Sequence, residues 1–351
     1  MKITDTSETA GSIVSSTLDS IINNGILKID NGTLSMKGIK TAVVQNNGTL
    51  EMTVGVIEAS GPSNYDKGYG INNKDGGVVT IKEGATIRSN GSGVYLVYNE
   101  GNGEVNLEGG TITGAGYSTG IYNNGTGIVN IKSGTINEKS SDSTGVNNNG
   151  TGTINMTGGT ILEVPNGYYA PTYGIYNRST GNVNFNGGEI NGGGNGIYNA
   201  SMGNVSINDG VLAGDGVTIY NSDLGVITIN GGTITSKQTN YPVANNGQGI
   251  IKVTGGTITG KQYGIFNQGK GVITIGEKGG NVVTKTPVIK GEDYGIYLGN
   301  TLGVFNFYDG TIKGKKAYKY GSVTDIEPYY EDKITTKDEY QCGDLTLSTL
   351  T

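Results

Sequence analysis

The chain has no histidine and no tryptophan, one cysteine and four phenylalanines among its 351 residues. Without histidine there can be no His-based catalytic triad, no imidazole general base near neutral pH and no imidazole ligand for zinc. The single cysteine, Cys342, excludes an intrachain disulfide and a cysteine-cluster metal site. With no histidine to activate it, Cys342 reads as a bystander rather than a nucleophile. Arginine is almost missing as well, with only Arg88 and Arg178. The net charge is −6 and no basic stripe follows the chain, so nucleic acid is not an expected partner. One lysine group, Lys313, Lys315, Lys316 and Lys319, comes after the last recognisable repeat and reads as a charged shield over an open sheet edge. No apolar run reaches about 18 residues, so no membrane insertion is expected.

Glycine is abundant: 64 residues, well above the usual share of about 7%. No Gly-X-Y period is present, which excludes collagen, and regularly placed Val and Ile exclude simple disorder. Gly134-Thr135-Ile136, Gly159-Thr160-Ile161, Gly232-Thr233-Ile234, Gly256-Thr257-Ile258 and Gly310-Thr311-Ile312 are copies of one another. The aliphatic member of this unit recurs at positions 13, 34, 57, 87, 112, 136, 161, 190, 212, 234, 258, 289 and 312, spaced 21 to 31 residues apart. Such a period identifies a stacked-repeat architecture.

Each repeat carries three short apolar pieces, for example Ile121-Tyr122-Asn123, Val129-x-Ile131 and Thr135-Ile136. Pieces this short, separated by Gly and Asn, find no partner along the chain and must pair with their equivalents in the next repeat. The expected fold is all-β, a right-handed, single-stranded parallel β-helix (a solenoid) of about thirteen coils, each rising by roughly 4.8 Å.

From the Asn of one piece to the Ile of Gly-Thr-Ile is 13 residues in seven consecutive repeats, from Asn99 to Asn245. Coils of constant spacing superimpose, so the asparagines should stack as a buried amide ladder. Length variation falls instead between the Ile and the next Asn, where repeat proteins usually place function. The longest insertions there are Val164 to Tyr173 and Ser60 to Lys67; another, Gly276 to Thr286, is expected to project as a loop.

Twenty-two tyrosines stand against the four phenylalanines. Tyr122, Tyr176, Tyr198, Tyr220, Phe266 and Tyr297 follow the inward Ile, so alternation points them outward. Tyr69, Tyr173, Tyr241, Tyr263 and Tyr294 lie at the variable corner beside them. Stacked outward rings stabilise a sheet by about 0.2–1 kcal/mol per pair, and the same faces suit the apolar side of a sugar. Tyr168, Tyr169, Tyr173, Tyr176 and Tyr198 are therefore the candidate ligand-binding residues. Outward threonines (Thr111, Thr135, Thr160, Thr233, Thr257 and Thr311) form a second row, which β propensity explains. For carbohydrate cleavage, Glu189 and Asp209 are the best-placed carboxylates, but no third acid or base joins them, so no catalytic residue is assigned. No cofactor or metal is expected.

The units Asn123-Asn124-Gly125…Val129-Asn130-Ile131…Gly134-Thr135-Ile136 and Asn148-Asn149-Gly150…Ile154-Asn155-Met156…Gly159-Thr160-Ile161 resemble the pectin-lyase-like β-helix repeats of large Gram-positive bacterial surface proteins. The resemblance implies a β-helix over residues 1–324 with an incomplete N-terminus, a closing segment over 325–351, and an extracellular or cell-surface location. No signal peptide, sorting motif or anchor supports that location independently. It implies a non-catalytic adhesin or stalk whose partners are host or cell-wall glycans. A polysaccharide lyase or glycoside hydrolase on the same fold, and a purely structural spacer, are the alternatives.

Overall fold

A computed structural model describes residues 2–3, 12–15, 20–37, 40–63, 66–140, 143–163, 172–277, 286–300, 302–320 and 339–341. Every regular element among them is a β-strand. The chain forms two compact units, one of residues 1–182 with 191–193, the other of 183–190 with 194–351.

In the first unit the repeat becomes three rows of parallel strands. Thr119–Gly125 supplies the first row, and the long strand Ile128–Glu138 bends to supply the second and third. Ile121 pairs with Val146, Val129 with Ile154 and Ile136 with Ile161, so each residue meets its equivalent one repeat later in all three rows. The second unit repeats the arrangement, with Ile197 beside Ile219, Ile227 beside Ile251, and Ile234 beside Ile258. Parallel pairing of such short strands is possible only because every coil returns to the same register. The molecule is a parallel β-solenoid.

The Gly-Thr-Ile aliphatics face inward in both units. Ile112, Ile136 and Ile161 have no exposed surface in the first, nor have Leu212, Ile234 and Ile258 in the second. The turn that aims them is left-handed: Gly159 has φ 77° and Gly232 φ 80°. A side chain at Gly159 would also lie 2.9 Å from the Gly134 carbonyl oxygen, so conformation and close approach both require glycine there.

The asparagine ladder is present. In the first unit the Nδ2 of Asn23, Asn46, Asn73, Asn99, Asn123 and Asn148 each donates to Oδ1 of the next asparagine, ending on Asn177, at 2.6–2.9 Å. In the second, Asn199, Asn221 and Asn245 do the same toward Asn267 at 2.9–3.0 Å. From Asn73 to Asn148 each Nδ2 also donates to the carbonyl four residues on, as Asn123 does to Gly127 at 2.9 Å. The constant Asn-to-Ile spacing thus preserves a continuous buried hydrogen-bond column.

Two sequence expectations are corrected. Lys316 and Lys319 do not follow the last rung: Lys316–Tyr320 is itself a first-row strand paired with Tyr294–Leu298. Thr311, expected to face outward with its row, is buried, and Thr311–Lys313 pairs antiparallel with Glu339–Gln341. An antiparallel partner there occupies a strand edge that would otherwise be open. Most of the Gly276 to Thr286 insertion lies outside the described residues.

Candidate functional site: a tyrosine face on the first strand row

Simple alternation would send Tyr173 and Tyr176, three residues apart, to opposite sides of their strand. Instead Gly174 and Ile175 are buried consecutively, and both tyrosines emerge on the outer face. The pattern recurs at Leu96–Val97 between Tyr95 and Tyr98, and at Gly264–Ile265 and Gly295–Ile296 in the second unit. Each such strand therefore presents two outward ring positions rather than one.

In the first unit these positions build a continuous aromatic surface. Tyr98 lies in register with Tyr122, their rings stacked at 5.5 Å and 14°. Tyr95 packs against Tyr122 at 4.5 Å and against Tyr98 at 5.6 Å, and Tyr69 closes the group edge-on to Tyr98 at 5.3 Å. Tyr173 and Tyr176 stack at 4.6 Å. All six rings are half-buried. Such ring pairs contribute about 0.5–1.5 kcal/mol each beyond their burial.

Two cations border the surface. The Lys67 ammonium lies 5.8 Å from the Tyr95 ring centre and donates to the Tyr117 carbonyl oxygen at 2.6 Å. The Arg178 guanidinium lies 5.5 Å from the Tyr176 ring centre, and its charge is near enough to the Tyr122 phenol to oppose the upward push of burial there. Burial pulls the Lys67 ammonium below its ordinary value, because a half-desolvated charge is disfavoured. Burial and the neighbouring tyrosines push the Tyr95 phenol up to about 12, so it stays neutral at physiological pH. Asn72, in register with Tyr98, and Asn147, between Tyr122 and Tyr176, each hold a buried Oδ1 with no hydrogen-bond donor.

The second unit carries its own aromatic groups. Tyr198 and Tyr220 stack at 5.1 Å and 7°. Tyr241, Tyr263, Phe266, Tyr294 and Tyr297 form a larger cluster, its closest rings 4.5–4.6 Å apart. Asp293, beside Tyr263, is paired with Lys315 at 2.7 Å.

Of the sequence candidates, Tyr173 and Tyr176 are brought together in the first unit, while Tyr198 belongs to the second. Tyr168 and Tyr169 lie outside the described residues. Tyr95, Tyr98, Lys67 and Arg178 were not anticipated. The coil of Tyr95 and Tyr98 reads Val97-Tyr98-Asn99 rather than Gly-Ile-Tyr-Asn, so Tyr98 lacks the repeated motif, although its place beside Asn99 carries the signal. Asp209 accepts a hydrogen bond from the Gly210 N–H and caps its own turn. Glu189 opens a third-row strand. Among the described residues, no three His, Cys, Asp or Glu side chains converge as a metal site.

Comparison with models of known protein families, with curated proteins and with solved structures finds no match.

Proposed function

We propose that this chain is a non-catalytic, surface-exposed binding solenoid of the adhesin or stalk kind, and that it holds glycans on the tyrosine face of its first strand row. The observation that carries the reading is the Tyr69–Tyr95–Tyr98–Tyr122 group with Tyr173–Tyr176 nearby. The rings are held by each other and by the sheet, and they remain partly exposed on the outer face. A rigid, partly hydrated aromatic surface with hydroxyls at its rim stacks on a sugar ring at little cost in ordering. An extracellular location follows from this reading, since such glycans are found there.

A glycan array probed with the full chain, alongside a reducing-sugar release assay, tests it. Binding without release is the expected result. Release of reducing ends would favour the lyase or hydrolase reading, and no binding to any glycan would leave a spacer. Tyr173→Ala combined with Tyr176→Ala should weaken binding, with a lowered unfolding midpoint from the lost ring stacking; binding is therefore compared at a temperature where both forms are folded.

A further inference from the structure

We propose that the tyrosine face of the first unit takes an acidic oligosaccharide, its sugar rings on Tyr95 and Tyr122 and its acidic groups on Lys67 at one end and Arg178 at the other. This rests on the glycan reading above and names the class of glycan.

The argument begins with how the first unit uses its cations. Lys28, Lys40, Lys74, Lys82, Arg88 and Lys132 each sit within 3.4 Å of a carboxylate oxygen. Lys67 and Arg178 make no such pair among the described residues, and neither do the exposed Lys37 and Lys139; what sets Lys67 and Arg178 apart is that they are directed at tyrosine rings, Lys67 also at a carbonyl. An ammonium has three donors and a guanidinium five, so these contacts leave donors available on both. Lys67 is also the cation whose charge is half-desolvated with no carboxylate to offset it. An anionic ligand group supplies what is missing, and in a chain of net charge −6 it would otherwise be repelled.

The two cations border one continuous surface. Lys67 lies over Tyr95, Tyr95 meets Tyr122 at 4.5 Å, and the Arg178 charge, seated over Tyr176, acts on the Tyr122 phenol. A ligand spanning both must therefore cross the two rings, which an oligosaccharide does and a small inorganic anion does not. Carboxylate and sulfate ester share the charge that the cations require.

The test compares, by calorimetry on the full chain, a glucuronate-containing tetrasaccharide, its carboxyl-reduced neutral form and a sulfated neutral tetrasaccharide. The glucuronate form should bind at least about tenfold more tightly than the reduced form, with an affinity that falls as salt rises. Lys67→Gln and Arg178→Gln should each reduce the ratio of glucuronate to neutral affinity several-fold, and Lys67→Arg should keep that ratio close to that of the unaltered chain. Unfolding midpoints of the variants establish that the fold is intact. Sulfated and carboxylated forms binding alike would support recognition of charge, and a preference between them would identify the acidic group. Equal binding of glucuronate and reduced forms would overturn this assignment while leaving the glycan reading standing. No binding of any of the three would overturn both.

Discussion

Ser118 Oγ donates a 2.5 Å hydrogen bond to Glu138 Oε2, while Glu138 Oε1 has no partner although the side chain is fully buried. A carboxylate in that position would be charged, desolvated and half-satisfied. Burial accordingly pushes Glu138 up to about 8, only partly opposed by Ser118. The group is held as the neutral acid at physiological pH.

The sign of the pH effect follows. Between about 4.5 and 8 the folded chain retains a proton on Glu138 that the unfolded chain releases, so stability falls as pH rises through this window and levels off above it. The loss is on the order of 3–5 kcal/mol. Glu51 and Glu58, both held below their ordinary value, act in the opposite sense only at more acidic pH. Urea unfolding from pH 5 to 9 should show the decline, and Glu138→Gln should flatten it. An unchanged slope in the variant would remove Glu138 as its source.

Asn148→Ala should cost about 2–5 kcal/mol. It removes an acceptor from Asn123 Nδ2 and donors from Gly152 O and Asn177 Oδ1 inside a buried column. The chain itself ends its second-unit ladder with an apolar residue, Leu298 in register with Asn267, so Asn267→Leu should be milder than Asn148→Leu. Chemical denaturation of the three variants checks the order.

Ile161→Ala should cost about 2–5 kcal/mol, because the side chain has no exposed surface and its coil neighbours are fixed by the strand register. Hydrogen exchange should accelerate most at Thr135–Glu138, the paired third-row segment, and least at distant coils of the same unit. Uniform acceleration along the unit would show that its coils open together.

Gly127→Ala should destabilise by more than the usual helix or strand glycine change, since its Cβ would lie 2.3 Å from Asn99 Nδ2 and 2.5 Å from the Gly103 carbonyl oxygen. Gly25→Ala, where the added carbon meets nothing within 4 Å, is the matched control and should be nearly neutral. Thermal unfolding of the pair provides the comparison.

Much of the fold was legible because the repeat is one-dimensional. When Ile136 and Ile161 stand in identical contexts, only stacking lets both bury the same face, and the 13-residue interval from Asn to Ile required the asparagines to align. The Lys316–Tyr320 strand was not legible, since its lysines carry none of the Gly-Ile-Tyr-Asn signature and its assignment depends on the register of Tyr294–Leu298.

The candidate site was legible only in part. Tyr122, Tyr173 and Tyr176 could be placed outward from period and corner, but the meeting of Tyr95 with Tyr122 depends on two consecutive buried residues, Leu96 and Val97. Elsewhere the same break in alternation carries a Tyr-Gly-Ile-aromatic pattern, but at Leu96–Val97 that pattern is absent and packing alone reveals it.

From the amino-acid order alone follow the inward aliphatics, the parallel pairing between repeats and the amide ladder, because each is a nearest-neighbour consequence of a period. Tertiary structure alone decided that Lys67, Arg178 and Tyr95 share a surface and that Glu138 is sealed from water. Lys67 and Arg178 are separated by 111 positions in the chain, and their approach to one group of rings is set by the accumulated rise and loop lengths of the coils between them. Burial of Glu138 likewise depends on its meeting Ser118, Gly114 and Gly120 of the preceding turns, an approach in space that no interval in the sequence encodes.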